Sequence, residues 1–121
     1  MEYTLRWVKP TRSTNVDLAK LNKVNSVAKK YETARHSDDD SQFQVYGSVE
    51  RVQEFIQNFV EDCNADYSVD KVGILRSNMA LEVKITLDPF SNSPIPVSIC
   101  FDPHISEALS RDAKYLESQL Y

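Results

Sequence analysis

The sequence predicts a single α+β domain in which a mainly antiparallel sheet packs against two or three helices. Segments with apolar residues at helical spacing alternate with segments of period two, and the last three strand-like segments follow one another without a helix between them. Such consecutive strands pair antiparallel, with helices covering one face. The predicted order is β-α-β-α-β-β-β-α, which a ferredoxin-like sandwich can accommodate. Because 121 residues is a common size for one domain, we assign 1–121 to one domain.

The first half of the chain predicts a strand, a helix and a polar loop. Residues 3–8 alternate and are rich in β-formers. A helix capped by Thr14 or Asn15 is expected to run to about Ala34. Its apolar residues recur at helical spacing: Leu18, Leu21, Val24, Ala28 and Tyr31. Residues 36–41 contain no apolar side chain, which predicts a solvated loop.

The second helix carries the clearest amphipathic pattern. A short strand, Phe43–Tyr46, and a Gly47-Ser48 turn precede it, and Ser48 is the expected N-cap. Its apolar residues share one stripe: Val49, Val52, Phe55, Ile56, Phe59, Val60 and Cys63. We therefore expect this stripe to pack against the sheet.

Three strands and a helix complete the chain. Residues 67–75, 81–87 and 97–101 have strand patterns, and 88–94 form a connection. Asp102 and Pro103 then resemble an N-cap and a first helical residue. The apolar side of the predicted terminal helix comprises Ile105, Ala108, Leu109, Leu116 and Leu120.

The charge of the chain is divided unevenly. Residues 1–36 contain eight Lys/Arg and three acidic residues, whereas 37–121 contain six Lys/Arg and fifteen acidic residues. The surface is therefore expected to be electrically polar, which affects association rather than fold. The positive end of one copy can meet the negative end of another, so a homo-oligomer is one expectation.

Composition disfavours several classes of function. Only two glycines occur, so a glycine-rich phosphate loop is not expected. Cys63 and Cys100 each lie in an apolar pattern and predict buried thiols rather than a disulfide or zinc site. We expect no metal and no cofactor. With no apolar run of about 20 residues and no signal-peptide pattern, we expect a cytoplasmic protein without a membrane partner.

Acidic residues form the main candidate surface. Those on the second helix lie opposite the apolar stripe, and three more lie in the polar loop. The candidate partner-binding residues are Asp38, Asp39, Asp40, Glu50, Glu54 and Glu61. Such a surface can complement a basic surface on a protein partner, although an acidic helix face also serves solubility alone.

A basic surface in the N-terminal third gives an alternative function. Clustered cations can neutralise phosphates, so nucleic-acid binding is the competing hypothesis, although a pI of 5.1 argues against it. Its candidate residues are Arg6, Lys9, Arg12, Lys20, Lys23 and Lys30.

A further alternative is a small enzyme centred on His104, with Asp102 holding the imidazole, although the sequence shows no accompanying nucleophile. The hypothesis we favour is a non-catalytic interaction protein. In its concrete form it is an acidic inhibitor of a nucleic-acid-processing enzyme, encoded by a virus, a phage or another mobile element. That last step rests on the small size of the chain and on no particular residue.

Overall fold

A computed structural model describes residues 2–8, 17–35, 40–105 and 107–121. The predicted α+β class is confirmed, and the predicted elements occur in the predicted order with one additional short strand. The elements are β1 (Tyr3–Val8), α1 (Leu18–Lys29), β2 (Glu32–Arg35), β3 (Asp40–Tyr46), α2 (Val49–Asp62), β4 (Tyr67–Leu75), β5 (Ala80–Leu87), β6 (Ile95–Pro103) and α3 (Leu109–Leu120).

The described strands form one antiparallel sheet in the order β2-β3-β1-β6-β5-β4. The strands β1 and β2 are connected by α1 and lie parallel with β3 between them, because each pairs antiparallel with β3. This is the split β-α-β arrangement of ferredoxin-like folds. The β4–β5 hairpin then extends the sheet beyond β6, and β2 and β4 are the two edges of the described sheet.

The three helices cover one face of the sheet. Apolar side chains from all three join a single core with the inward-facing residues of the strands. Register explains which strand residues face the helices, since Leu5, Phe101 and Leu81 are direct neighbours across β1, β6 and β5. Period-two alternation turns the intervening residues, such as Arg6 and Lys84, toward the other face.

The apolar stripe of α2 is buried as predicted. Val52, Ile56 and Phe59 are fully buried, and the other stripe residues are also inaccessible. Ser48 is the N-cap, as expected, in an extended conformation and without a side-chain hydrogen bond to the helix. The helix therefore forms mainly because its stripe packs against the sheet.

The first helix is shorter than predicted at both ends. Asp17 caps it, accepting a hydrogen bond from the Ala19 N–H at 2.9 Å; the predicted caps Thr14 and Asn15 lie outside the described residues. At the other end, residues 32–35 pair with β3 instead of continuing the helix to Ala34. Pairing with β3 satisfies the backbone N–H and C=O groups of this segment. This pairing outweighs the helical spacing of apolar residues that predicted a longer helix.

The predicted start of the last helix is wrong. Asp102 and Pro103 belong to β6, where they pair with Thr4 and Tyr3, and α3 begins six residues later at Leu109. Pairing with β1 carries the strand past the residues that resembled a cap. Ile105, predicted on the apolar side of the helix, is consequently 61% exposed.

A buried polar contact joins α3 to the sheet. The Tyr3 hydroxyl donates a hydrogen bond to Asp112 Oδ2, and both side chains are buried. Burial and the Asp112 contact raise the pKa of Tyr3 above its usual range. The contact links the first turn of α3 to β1.

Candidate functional site

The acidic residues of α2 form one exposed stripe. Glu50, Glu54 and Glu61 are exposed, and at 100° per residue they lie within about 40° of one another. The buried apolar stripe fixes this orientation, since its burial turns the opposite side of the helix to solvent. Within the described part of the chain, no ion pair or hydrogen bond engages these three carboxylates. We call these residues the acidic stripe.

A fully exposed phenylalanine lies near the end of the acidic stripe. Phe90, in the connection between β5 and β6, is 100% exposed. Burying a phenylalanine side chain is worth about 1.5–3 kcal/mol, so a ring left wholly in water forgoes that stabilisation. Single exposed apolar residues are common on protein surfaces, so exposure alone does not indicate a binding role for Phe90. The structure of the loop that carries Phe90 is the further evidence.

The loop that carries Phe90 is held by a hydrogen-bond network. Asp88 lies at its start with φ of 49°, and its N–H donates to the Asp66 carbonyl at 2.8 Å. The Asp66 N–H in turn donates to Asp88 Oδ1 at 3.2 Å. Ser91 closes the turn, since its N–H and its hydroxyl both donate to the Asp88 carbonyl, at 3.1 and 2.8 Å.

The first turn of α1 holds the other side of this loop. Lys20 Nζ lies 3.4 Å from Asp88 Oδ2 and donates to Ser91 Oγ at 3.2 Å. The Asp17 N–H donates to the Ser93 hydroxyl at 2.5 Å. Phe90 therefore lies on a loop whose Asp88, Ser91 and Ser93 side chains are bonded to neighbouring elements. We call residues 88–94 the Phe90 loop.

A groove of about 520 Å³ connects the acidic stripe with the Phe90 loop. Its apolar walls come from Val60, Ala65 and Pro89, and the two aromatic rings are those of Tyr67 and Phe90. Its polar groups are Gln57, Glu61 and Asp66. The groove thus combines aromatic surface with two exposed carboxylates, and none of the described residues that line it is basic.

The acidic loop of the sequence falls partly outside the described residues. Asp38 and Asp39 lie outside them, and only the backbone of Asp40 is described, at the start of β3. Asp40 pairs with Val8, and Val8 pairs with Ser98 of β6. Two strand spacings, about 10 Å, therefore separate Asp40 from Ser98. Because β3 and β6 both pair antiparallel with β1, β3 begins at the same end of the sheet as the Phe90 loop.

The described members of the predicted basic set lie on two sides of the sheet. Arg6 lies on the helix-free face of the sheet, where its Nε is 3.4 Å from Asp102 Oδ2. Lys23 and Lys30 are exposed on α1, on the other side of the sheet. Lys20 is held by Asp88 in the Phe90 loop, and Lys9 and Arg12 lie outside the described residues.

His104 has a hydroxyl and a carboxylate as neighbours. Its Nε2 lies 2.8 Å from Thr4 Oγ1 and its Nδ1 lies 3.3 Å from Glu2 Oε2. The predicted carboxylate partner was Asp102, but that residue pairs with Arg6. His104 and Glu2 have side chains 45% and 62% exposed, so the group lies at the surface.

Both thiols are buried and unpaired, as predicted. Burial raises the pKa of Cys63 to about 11, and burial also raises the pKa of Cys100. A thiol with a raised pKa is a weak nucleophile at neutral pH.

Among the described residues, no group of three or more His, Cys, Asp and Glu side chains is arranged to hold a metal ion. The described helices also include none with the length and apolar character needed to cross a bilayer.

Sequence reasoning missed Phe90. Residues 88–94 were expected only to connect two strands, and the loop has no periodicity that reveals exposure. The available signal was an aromatic residue between Pro89 and the polar run Ser91-Asn92-Ser93, with no apolar neighbour to pack against.

Comparison of the chain with protein-family models, with curated proteins and with solved structures gives no match.

Proposed function

We propose that this protein is a non-catalytic interaction protein that binds a partner with a basic surface through the acidic stripe and Phe90. The observation that carries the proposal is the complete exposure of Phe90 on a hydrogen-bonded loop beside the unpaired carboxylate of Glu61. Aromatic residues are enriched among the side chains that dominate binding energies at protein interfaces. An ordered loop lowers the entropy lost when such a side chain is buried by a partner.

The acidic stripe supplies the electrostatic part of this proposal. From Glu50 to Glu61 the helix rises about 16 Å, at 1.5 Å per residue. Carboxylates along this length complement a cationic groove, speed the encounter and fix its orientation. Nucleic-acid-processing enzymes have such grooves to neutralise phosphates. The partner we propose is therefore an enzyme of this class, which the protein inhibits by occupying its nucleic-acid groove.

The test is affinity capture from the native cell, with four variants compared with the unmodified protein. Phe90→Ala and Glu61→Lys change the proposed surface. Ile105→Ala and Glu107→Lys make matched changes at exposed residues near the start of α3. We expect the two control variants and the unmodified protein to recover the same partner, and the two surface variants to lose it.

Competition with nucleic acid tests the finer proposal. Added duplex DNA or RNA should release the captured partner, and the partner's activity on nucleic acid should fall as this protein is added. Equal recovery by all four variants would refute the binding surface. Recovery that depends on Phe90 but is insensitive to nucleic acid would refute only the class of partner. A recovered second copy, seen as a doubled mass, would replace the heterologous partner with a homo-oligomer.

The geometry at His104 favours one second candidate, a hydrolytic enzyme. Hydroxyl, imidazole and carboxylate at 2.8 and 3.3 Å have the connectivity of a nucleophile, a base and a group that orients the base. Hydrolysis of an activated ester such as p-nitrophenyl acetate tests this candidate. A surface imidazole can hydrolyse this ester without help from a hydroxyl, so the contribution of Thr4 must be measured separately. Enzymatic hydrolysis requires loss of the rate in both His104→Ala and Thr4→Val. A rate unaffected by Thr4→Val excludes Thr4 as the nucleophile.

A further inference from the structure

One edge of the described sheet borders a groove that is separate from the Phe90 site. The edge strand β4 and the helix α3 enclose a volume of about 480 Å³. The strand contributes Val72 and Ile74, Arg76 follows the end of the strand, and the helix contributes Ala113, Lys114 and Glu117. Edge strands carry backbone groups that can pair with a further strand, and an adjacent groove can receive the side chains of that strand.

A hydrogen bond shows that backbone groups on this edge face outward. The Val72 N–H donates to the Tyr121 hydroxyl oxygen at 3.1 Å, on the side of β4 away from β5. Backbone orientation alternates along a strand, so the N–H and carbonyl of Ile74 also face away from β5. The bond is partly buried, although Tyr121 is 62% exposed. The hydroxyl occupies the position of a carbonyl from an added strand.

The length of edge open to pairing is set by a bulge and a glycine. A register shift between Val69 and Lys71 interrupts β4, and the regular part runs from Lys71 to Leu75. Gly73 lies in the middle of this part, and a Cβ built there would meet only the Lys71 Cε, at 3.6 Å. A glycine within a strand often marks the close approach of another backbone. The regular part therefore suits an added strand of about five residues.

The charges around the groove select an acidic occupant. Arg76 and Lys114 line it, and Arg111, whose side chain is 82% exposed, lies on the same helix. Among the described residues that line this groove, Glu117 is the one that is acidic. Val72 and Ala113, which also line the groove, are buried.

We propose that β4 binds an extended acidic segment of a partner protein as an additional strand. Its backbone would pair with Val72 and Ile74, and the acidic side chains on one face of the added strand would enter the groove beside Arg76 and Lys114. Tyr121 competes with this strand, because its hydroxyl must leave the Val72 N–H before pairing begins.

The probe is a fluorescent acetylated peptide of sequence Glu-Val-Glu-Val-Glu-Val, with Lys-Val-Lys-Val-Lys-Val as the charge-reversed control. We expect saturable binding of the acidic peptide by fluorescence anisotropy, with amide chemical-shift changes concentrated at 71–76. Tyr121→Phe should tighten binding roughly two- to tenfold, since a competing hydrogen bond of ordinary strength is removed. The two charge reversals Arg76→Glu and Lys114→Glu together should weaken binding at least tenfold, whereas Lys29→Glu on α1 should leave it unchanged.

Several outcomes would overturn the proposal. Equal binding of both peptides, shifts confined to residues outside 71–76, or no binding by the unmodified protein would each do so. If the Tyr121 bond has only a structural role, its removal does not tighten peptide binding. Weaker binding by a folded Tyr121→Phe variant would therefore also contradict the proposal. A doubled mass without peptide, with shifts at 71–76, would assign the edge to a second copy instead.

Discussion

The buried side of α2 and the Phe90 loop use the same kind of side chain for opposite purposes. Phe59 is 0% exposed between the helix and the sheet, whereas Phe90 is 100% exposed on a loop held by hydrogen bonds of Asp88, Ser91 and Ser93. The first ring stabilises the fold by leaving water. The second makes no such contribution, so an effect of its removal is expected in binding rather than in folding. Stability and association measurements on matched variants can therefore separate the two regions.

The largest difference is expected between Phe59→Ala and Phe90→Ala. Removing the buried ring leaves a cavity and should lower the free energy of unfolding by about 3–5 kcal/mol. Removing the exposed ring should change it by less than about 0.5 kcal/mol. Urea denaturation measures both values. Similar losses for the two variants would show that Phe90 packs in solution, and the proposed binding surface would lose its main support.

The contact between Tyr3 and Asp112 tests whether the buried layer depends on polar pairing as well as on apolar packing. Asp112→Ala leaves a buried hydroxyl without its acceptor, so we expect a loss of about 1–3 kcal/mol. A double-mutant cycle with Tyr3→Phe should show coupling, because the second change removes the unpaired donor. Strictly additive losses would mean that the two side chains contribute independently.

A pH titration examines the buried layer through the Cys63 thiol. The raised pKa of Cys63, about 11, means that the folded state keeps this proton at pH values where the unfolded chain loses it. The stabilisation from this group is present below the unfolded pKa of about 8.5 and decreases as the pH rises toward 11. In a Cys63→Ala variant, the alkaline loss of unfolding free energy should be smaller than in the unmodified protein, by an amount on the order of 1–2 kcal/mol. An identical alkaline slope for both proteins would contradict this account.

Asp88 tests the order of the Phe90 loop. Asp88→Ala removes the acceptor for the Asp66 N–H and the ion pair with Lys20, and places alanine at a φ of 49°. We expect a loss of about 1 kcal/mol in stability, and a fall in partner affinity because Phe90 is no longer held. Asp88→Asn is the matched control, since asparagine tolerates positive φ and keeps an acceptor oxygen. Unchanged affinity in Asp88→Ala would show that binding does not need an ordered loop.

Burial periodicity made the α2 core predictable, and its absence hid the Phe90 loop. The stripe from Val49 to Val60 lies within the fourteen-residue helix Val49–Asp62, and the two begin at the same residue. By contrast, Asp102-Pro103 has a local pattern typical of a helix start, but long-range pairing with β1 decides its structure. The same applies to residues 32–35, where pairing with β3 determines the conformation. Sequence patterns therefore located the acidic stripe, whereas the loop and the β4 edge depend on contacts between distant segments.

The smallest effect is expected from the lysines of α1, and it compares the acidic stripe with the neighbouring basic surface. Lys23→Gln with Lys30→Gln removes two exposed charges, and stability should change by less than about 0.5 kcal/mol. If the basic surface only solvates the helix, the unmodified protein should show no measurable affinity for DNA or RNA at moderate salt, and the double variant should not differ. Fluorescence anisotropy with a labelled duplex and a labelled single strand measures this. Micromolar binding that weakens steeply with salt, and that the double substitution abolishes, would favour nucleic-acid binding over the acidic stripe as the main interaction.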